Sequence, residues 1–453
     1  MISRRWWYLL PLPAVGLAAA TLPPLASDGS ALPAAAPLMI APFLLLLLSI
    51  AVLPLIDREW WDTRYPIVAI GLGLFTVFYY LVILRNPGGM EEIGMDYLSF
   101  IVLIGSLFVV AGGIHIPPTQ GATPLANTLM LAAGALASNL LGTTGASMIL
   151  IRPYLRSNRR RLRPYHTVFF IFLVSNIGGS LSPIGDPPLF LGYLRGVPFF
   201  WVTGQLWPAW LAGVGVLALL FYWIDSKEFR KAHLQKPGPE AGPQEGWGGL
   251  HNVFFLAVIV LAAFAEHPKF LREMIMLLAA GLSYVTTQRE IHEKNGFTFA
   301  PVKEVAILFF GIFATMVPAL EWLEANAGQI GLATPGHFYW GTGTLSSLLD
   351  NAPTYMNFLS AAIGLFSDQT LATPGARIAH LIAHQGVYLK AISVGAVFFG
   401  AMTYIGNGPN FMVKSVAESE GAPVPSFAGY IARYSAPILI PLFVVLWLVF
   451  FRG

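Results

Sequence analysis

The sequence lacks cysteine altogether and has few charged residues for its length of 453 residues. A chain without cysteine forms no disulfide bonds and offers no thiolate ligands to a metal. Charged side chains account for 11% of the residues, whereas soluble domains contain about 25%. This composition argues against a soluble domain, whose surface would require many more charges.

Apolar residues are abundant and come in long runs. They make up 56% of the chain, and the mean hydropathy is +0.65. Because a helix of about 20 apolar residues crosses a bilayer, we predict an all-α polytopic membrane protein with about 11 transmembrane helices. The predicted segments are residues 6–26, 38–56, 65–84, 97–116, 167–194, 206–224, 253–265, 270–286, 305–323, 387–416 and 431–450.

Two further apolar stretches, residues 122–150 and 337–366, are interrupted by Gly, Ser, Thr, Asn and Pro. They contain too many helix-breaking residues for one straight helix and too few polar residues for a loop. Non-helical backbone persists at membrane depth only where protein buries it or where it lines a watery cavity. We therefore predict a re-entrant hairpin in each stretch.

The first 37 residues allow two interpretations. A basic start at Arg4 and Arg5, followed by an apolar stretch to residue 26, fits a cleaved signal peptide. The same pattern fits a first transmembrane helix, which we favour because multispanning proteins usually insert on their first helix. Residues 1–37 are thus predicted to be an N-terminal helix or signal-anchor.

The basic residues predict the orientation of the chain. Cytoplasmic loops collect Lys and Arg, and the segment from Arg152 to Arg163 is the densest basic cluster. Alternation from this cluster puts the basic loops at residues 227–236 and 289–303 on its side and the acidic loop at 91–96 on the other. We predict a multi-pass protein of the bacterial inner membrane, with the N-terminus cytoplasmic, if uncleaved, and the C-terminus periplasmic. A nucleic-acid partner is not expected, because a loop between two membrane segments is poorly placed to bind one.

The two halves of the chain carry matching motifs. Residues 138–148 align with 346–356 through Ser, Leu-Leu and Met, and residues 181–190 align with 402–411 through Ile-Gly, Pro and Phe. Each half then has an odd number of full crossings, so we predict two inverted-topology repeats, as in secondary transporters. A chance likeness between apolar segments is the alternative. The predicted units are repeat 1 (38–225), a cytoplasmic linker (226–250) and repeat 2 (251–453).

Polar residues cluster in the two hairpins and in segments 167–194 and 387–416, which Gly and Pro turn into broken helices. Polar groups at membrane depth are functional candidates, although many only hydrogen-bond neighbouring helices. Unwound carbonyls can coordinate a cation, and Ser, Thr and Asn oxygens are neutral hard ligands. The candidate substrate- and ion-binding residues are Ser138, Asn139, Thr143, Thr144, Asn176, Ser182, Asp186, Ser347, Asp350, Asn351, Thr354, Asn407 and Asn410.

Asp186 and Asp350 are the acids of the matched motifs. Burial disfavours a charged carboxylate unless a cation lies beside it. Such a group can exchange a proton for a metal ion, which is what an antiporter requires. We predict that Asp186, Asp350 and Asn351 are ligands of a transported Na+.

These motifs resemble those of the ion transporter superfamily, which includes arsenite, citrate and dicarboxylate carriers and NhaD-type sodium/proton antiporters. Residues 182–186, Ser-Pro-Ile-Gly-Asp, are similar to the NhaD-type motif in the first broken helix. Residues 347–353, Ser-Leu-Leu-Asp-Asn-Ala-Pro, are similar to the second hairpin motif of those antiporters. Residues 402–414 resemble a citrate-transporter-like branch. The resemblance implies a fold with two hairpins, a homodimer and ion-coupled transport.

One departure from the NhaD-type pattern keeps the substrate open. Those antiporters carry an Asp-Asn pair at the tip of the first hairpin, where this sequence reads Gly-Thr-Thr-Gly at residues 142–145. The hairpins and unwound stretches contain no Lys or Arg for an organic anion. We therefore predict a cation/proton antiporter with alternating access at a midplane site, with Na+ and H+ as coupling ions and no other cofactor. The alternative is a Na+- or H+-coupled carrier of citrate or another organic anion.

A third class is an enzyme, an intramembrane aspartyl protease that would use Asp186 and Asp350. That family pairs a Tyr-Asp with a Gly-x-Gly-Asp motif. This sequence has Leu349 before Asp350, and residues 182–186 lack the first glycine. The fit is poor, so the sequence predicts a transporter and not an enzyme.

Overall fold

The structure is a computed structural model, which describes residues 35–118, 122–231, 246–265, 267–368, 370–371 and 373–452. Within these ranges the chain is almost entirely helical, and eight helices are long and apolar enough to cross a membrane. The predicted all-α polytopic fold is confirmed. The predicted segment at residues 6–26 lies outside the described residues.

The helices of the first half of the chain often begin with proline. A proline in the first turn is tolerated because the N–H it lacks has no partner within the helix, and such a residue opens α3 to α6 as labelled here. The helices are α1 (Ala41–Ile56), α2 (Arg58–Phe78), α3 (Pro87–Gly112), α4 (Pro124–Ser157), α5 (Pro164–Leu173), α6 (Pro187–Leu194) and α7 (Phe199–Lys231).

The second half of the chain contains further helices, several of them too short to cross a bilayer alone. They are α8 (Asn252–Ala262), α9 (Leu271–Thr286), α10 (Arg289–Lys294), α11 (Ala300–Asn326), α12 (Pro335–Leu348), α13 (Asn351–Phe366), α14 (Pro374–Phe399), α15 (Gly408–Ser419), α16 (Phe427–Tyr430) and α17 (Ala436–Phe450).

Some helices continue past the apolar runs. The first hairpin's second arm extends beyond residue 150 to Ser157. Residues 226–231, predicted to open the linker, belong to the end of α7. In both cases polar residues extend a helix whose hydrogen-bond ladder does not require apolar side chains, so hydropathy alone ends the segment too early. Helix α14 is kinked at Gln385, next to the predicted start of the second broken helix at residue 387.

The first hairpin consists of two helical arms within α4, which meet at a break in the helix at Gly142. This residue has φ 71° and ψ 155°, a conformation that only glycine adopts readily. The amide of Asn127 bonds the amide of Asn158, 31 residues later, at 2.8 Å in both directions. A straight helix would separate them by about 46 Å, so the two arms must lie side by side.

The second hairpin breaks between α12 and α13 at Leu349 and Asp350, both of which have extended backbone. Its arms also pack against each other. The Phe338 ring in α12 lies 6.1 Å from the Phe358 ring and 6.2 Å from the Phe366 ring in α13, centroid to centroid. Both predicted stretches therefore fold back on themselves.

Two broken helices lie against the hairpins. The first consists of α5, a 3-10 turn at Ile177–Leu181 and α6, and the second of α14, a 3-10 turn at Gly400–Met402 and α15. Glycines let the backbone approach itself at both breaks. A Cβ on Gly185 would overlap the Gly179 carbonyl oxygen, and a Cβ on Gly406 would lie 2.6 Å from the Gly400 carbonyl oxygen.

Charged residues gather at the two ends of the bundle. At one end, Arg156 Nη2 lies 3.0 Å from Glu420 Oε1, and Arg152 donates to the Asn295 carbonyl at 2.7 Å. At the other end, Arg195 Nε lies 2.9 Å from Asp96 Oδ2. Arg152 and Arg156 belong to the basic end of the first hairpin, so the first of these two ends is the one predicted to be cytoplasmic.

Two histidines that lie near the ends of predicted segments are buried. His166 is fully buried, and His115 is 5% exposed. His115 Nδ1 lies 3.0 Å from Asn295 Oδ1, and His166 packs beside Asp225. His166 packs against the rings of Tyr154 in α4 and Phe221 in α7, so neighbouring helices shield it from solvent.

Candidate ion-binding site

Asp186 lies where the two hairpins and the two broken helices meet. It immediately precedes α6 and is 1% exposed. Thr143 Oγ1, at the tip of the first hairpin, donates to Asp186 Oδ1 at 2.8 Å. Asn407 Nδ2, in the second broken helix, donates to the same oxygen at 3.1 Å. The Asn351 amide, at the tip of the second hairpin, donates to Asp186 Oδ2.

Asn351 contributes a second feature to this site. Its Nδ2 donates to Asp186, whereas its Oδ1 is buried with no hydrogen-bond partner in the described structure. A buried acceptor without a donor is costly. An oxygen in this position, next to a carboxylate, is a suitable ligand for a cation.

A network of asparagines links the two broken helices. Asn407 Nδ2 also donates to the Ser175 carbonyl at 3.1 Å and lies 3.3 Å from Asn176 Oδ1. Asn176 Nδ2 donates to Asn410 Oδ1 at 2.6 Å, and Asn410 Nδ2 donates to the Gly400 and Thr403 carbonyls. These amides satisfy carbonyls freed by the helix breaks and fix the distance between the breaks.

Asp350 occupies a different position from Asp186. Its Oδ1 accepts a hydrogen bond from the Ala352 N–H at 3.1 Å, so it caps α13. Its own carbonyl accepts from Thr354 Oγ1 at 2.9 Å. It lies within electrostatic range of Asp186 but makes no hydrogen bond to it, so the two acids have distinct environments.

Other candidate residues do not touch Asp186, and most of them donate hydrogen bonds to main-chain carbonyls of the hairpins and broken helices. Ser138 Oγ donates to the Val174 carbonyl at 2.7 Å, and Asn139 Nδ2 donates to the Gly178 carbonyl at 2.7 Å. Ser182 Oγ donates to the Asn139 carbonyl at 2.5 Å. Ser347 Oγ bonds the Thr344 carbonyl within its own helix. Thr144 lines the cavity described next.

Hydrogen bonds of this kind match in the two halves. Thr403 Oγ1 donates to the Ser347 carbonyl at 2.6 Å, as Ser182 does to the Asn139 carbonyl. Thr403 Oγ1 also accepts the Gly406 N–H at 3.0 Å, as Ser182 Oγ accepts the Gly185 N–H at 3.1 Å. The aligned sequence positions thus carry the same local contacts.

A small cavity lies between Asp186, the tip of the first hairpin and α3. It offers about 20 Å³ to the centre of a water-sized particle, which is room for about one water. Neither Lys nor Arg lines it. The lining residues are Leu103, Ile104, Leu107, Phe108, Leu141, Gly142, Thr143, Thr144, Gly145, Pro183, Ile184, Gly185, Asp186, Pro187 and Phe190.

Sequence reasoning missed a buried ion pair at the open end of the first hairpin. Asp225 of α7 is fully buried and pairs with Arg161, whose Nη2 donates to Asp225 Oδ2 at 2.8 Å. Tyr165 and Asn127 donate to the same carboxylate at 2.7 and 3.0 Å. Asp225 follows an apolar run and precedes a basic stretch, so nothing in the local sequence distinguished it from an interfacial residue.

Comparisons with known proteins agree with this architecture. Residues 33–451 match the family described as "Putative citrate transport". The chain is 25% identical over 393 residues to an "Uncharacterized transporter" of Mycobacterium tuberculosis (strain ATCC 25618 / H37Rv), covering 80% of this chain and 88% of the relative. It is 25% identical over 369 residues to a "46 kDa membrane protein" of Mycobacterium leprae (strain TN), covering 74% and 81%.

The fold and the matched residues define a membrane-embedded, multi-pass transporter and not an enzyme. The chain belongs to the citrate-transport family named above, a transporter family of the ion transporter superfamily. The resemblance noted from the hairpin and broken-helix motifs is thereby confirmed.

Proposed function

We propose that this transporter exchanges a monovalent cation, with Na+ the first candidate, for protons at Asp186. The observation that carries the proposal is the set of groups around this carboxylate, since every side-chain donor to it is neutral. A buried carboxylate with neutral donors alone needs a cation or a proton to balance its charge. Competition between the two for one carboxylate couples their movements.

The ligands for a cation come from both hairpins. The unpartnered Oδ1 of Asn351 supplies one neutral oxygen, and the Thr143 and Thr144 hydroxyls beside the cavity can supply others. The Asp186 carboxylate supplies the charge. Asp350 adds negative potential from its place at the start of α13.

The size and charge of the cavity favour a small cation over an organic anion. Room for about one water suits a dehydrated ion. Citrate carries several carboxylates, and the cavity lining contains no basic residue to receive them. A helix N-terminus provides only about half a positive charge, and Asp186 and Asp350 would repel an anion.

The family description favours a second candidate, a Na+- or H+-coupled carrier of citrate or another organic anion. Such a carrier would need co-bound cations to neutralise Asp186 before the anion enters. It would also need the cavity to enlarge when the hairpins separate from α3.

The matched contacts support two inverted repeats as the basis of alternating access. Thr143 and Asn351 occupy equivalent positions of the aligned hairpins, and both donate to Asp186. Asp186 and Asn407 are equivalent in the broken helices and bond each other. Only one of the two equivalent positions carries an acid, so the proposed site has a single central carboxylate.

We place the protein in the bacterial inner membrane as a homodimer, with the N-terminus cytoplasmic and the C-terminus periplasmic. The mycobacterial relatives support a bacterial membrane. The concentration of Arg152, Arg156 and Arg161 at one end of the bundle supports the orientation. The homodimer rests on the family resemblance alone.

The test is transport by purified protein in liposomes with an acidic interior and a pH-sensitive dye. Addition of Na+ or Li+ without citrate should dissipate the pH gradient, and K+ should do so less. Absence of cation-driven proton movement at neutral and alkaline pH, together with uptake of labelled citrate, would replace the exchanger with the anion carrier.

Three variants separate the roles of the acids. Asp186→Asn should abolish exchange at normal expression, because the only central charge is lost. Asp350→Asn keeps a good helix cap and should raise the Na+ concentration for half-maximal rate several-fold. Asp368→Asn, in an exposed loop, is the control and should transport normally. Full activity of the Asp186 variant contradicts the site.

A further inference from the structure

Four exposed basic residues lie beside the open end of the first hairpin. Arg159 and Arg163 lie in the loop between α4 and α5, and Lys227 and Arg230 lie at the end of α7. Arg161, in the same loop, donates to Asp225 near the end of α7 at 2.8 Å, so the loop and the helix end are adjacent. We call these four residues the basic surface.

None of the four residues of the basic surface forms an ion pair within the described part of the chain. The acid near them, Glu228, pairs with Lys231 at 2.7 Å. The neighbouring Arg161 is likewise taken by Asp225. The two exposed basic residues of α10 differ, since Arg289 pairs with Glu293 and Lys294 with Glu290. Four exposed like charges that form no ion pairs attract an external anion.

Aromatic side chains show how deep this surface lies. Trp223 and Tyr222, about one turn before Lys227 on α7, are 60% and 44% exposed. The Lys227 ammonium lies 5.4 Å from the centre of the Trp223 ring. Exposed Trp and Tyr mark the level of the lipid headgroups in membrane proteins. The basic surface therefore faces the headgroup layer and not the bulk solvent.

We propose that the basic surface binds the phosphate headgroups of anionic phospholipids. The ligand class follows from charge and depth together: several clustered cations at headgroup level match negatively charged lipid phosphates. The proposed lipid site is connected to the first hairpin, because the buried Arg161–Asp225 pair joins the loop between α4 and α5 to the end of α7. Bound lipid would thus contact the base of the hairpin whose tip carries Thr143.

Lipid retention by the full-length protein tests the proposal. Purified protein is titrated with phosphatidylglycerol, cardiolipin or phosphatidylethanolamine in detergent, and bound lipid is counted by native mass spectrometry. The test variant is R159Q/R163Q/K227Q/R230Q, and the matched control is R289Q/K294Q at the ion-paired helix α10. Because all six side chains lie on the surface, single variants K227Q and R230Q provide a fallback if the fourfold variant folds poorly.

The wild type should retain anionic lipid in preference to phosphatidylethanolamine. Each basic residue near a membrane surface contributes about fivefold to affinity for anionic lipid, so the fourfold variant should bind at least tenfold more weakly. The control should be unchanged. Equal retention by wild type and test variant, or an equal loss in the control, overturns the proposal. Displacement of the lipid by millimolar inorganic phosphate would also overturn it, in favour of a soluble phosphate ligand.

Discussion

Asn127 and Asn158 exchange side-chain hydrogen bonds at 2.8 Å across the open end of the first hairpin, although 31 residues separate them in sequence. Both are buried, and Asn127 also donates to Asp225 of α7 at 3.0 Å. The arms of the hairpin are thus tied to each other and to a neighbouring transmembrane helix. This fixes the direction in which the hairpin presents Thr143 to Asp186.

The contribution of the Asn127 hydrogen bonds to the stability of the protein can be measured. Asn127→Ala leaves Asn158 Oδ1 without its donor, and a buried unsatisfied group costs about 1–3 kcal/mol. Asp225 Oδ2 loses one donor and keeps Arg161. We expect a lower melting temperature of the purified protein in detergent. Asn326→Ala, which removes an exposed amide bonded to the Trp322 carbonyl, is the control. Equal melting of both variants and the wild type would show that the hairpin does not depend on these hydrogen bonds.

The close backbone contacts at the helix breaks lead to a second prediction. Gly185→Ala and Gly406→Ala would each push a methyl group into a glycine carbonyl of the same break, so the breaks must open and the site must distort. We expect transport to fall at least tenfold in both variants. Gly215→Ala in α7 meets nothing within 4 Å and should behave as wild type. Normal transport by both break variants would mean that the breaks tolerate widening.

The sequence predicted those parts of the fold that local composition controls. Gly, Pro and polar residues inside apolar stretches identified both hairpins and both breaks, because these residues cannot continue a lipid-exposed helix. Contacts between distant elements could not be predicted in this way. Asn176 and Asn410 bond each other across 234 positions, and no pattern near either residue specifies that pairing.

Asp350 and Asn351, which are adjacent at the tip of the second hairpin, show that the sequence does not predict every contact at the site either. Both Asp350 and Asn351 were predicted as cation ligands, and both lie at the tip. The start of α13 turns the Asp350 carboxylate toward the Ala352 N–H, whereas the Asn351 amide meets Asp186. Which of the two reaches the centre depends on the cap geometry, which the sequence order alone does not give.

Labelling of introduced cysteines tests the proposed orientation, and the absence of native cysteine makes the chain suitable for it. A single cysteine at Arg159, which is exposed near the basic end of the first hairpin, should react only with reagents that reach the cytoplasm. One at Gly88, also exposed, should react from the periplasm. The reverse pattern in intact cells would invert the topology.

The ion pairs of Arg195 lead to the last prediction. Arg195 directly follows α6, whose other end begins next to Asp186, and it contacts Glu92 and Asp96 of α3 at 2.5 and 2.9 Å. The eight-residue helix α6 thus connects the site to an ion-paired contact at the far end of the bundle. If α6 moves relative to α3 when the site changes its access, these ion pairs must break in every transport cycle.

A cross-link between residues 92 and 195 tests whether α6 moves relative to α3 during transport. In the double variant Glu92→Cys with Arg195→Cys, we expect cross-linking by a bifunctional methanethiosulfonate reagent, whose spacer replaces the two long side chains, to stop exchange and reduction to restore it. The matched control, Glu324→Cys with Arg377→Cys, replaces another ion pair, one that joins the end of α11 to the start of α14. Each single variant controls for loss of the charge itself. Unchanged exchange by fully cross-linked protein at residues 92 and 195 would show that α6 and α3 move together, and the proposed access change would then have to occur elsewhere.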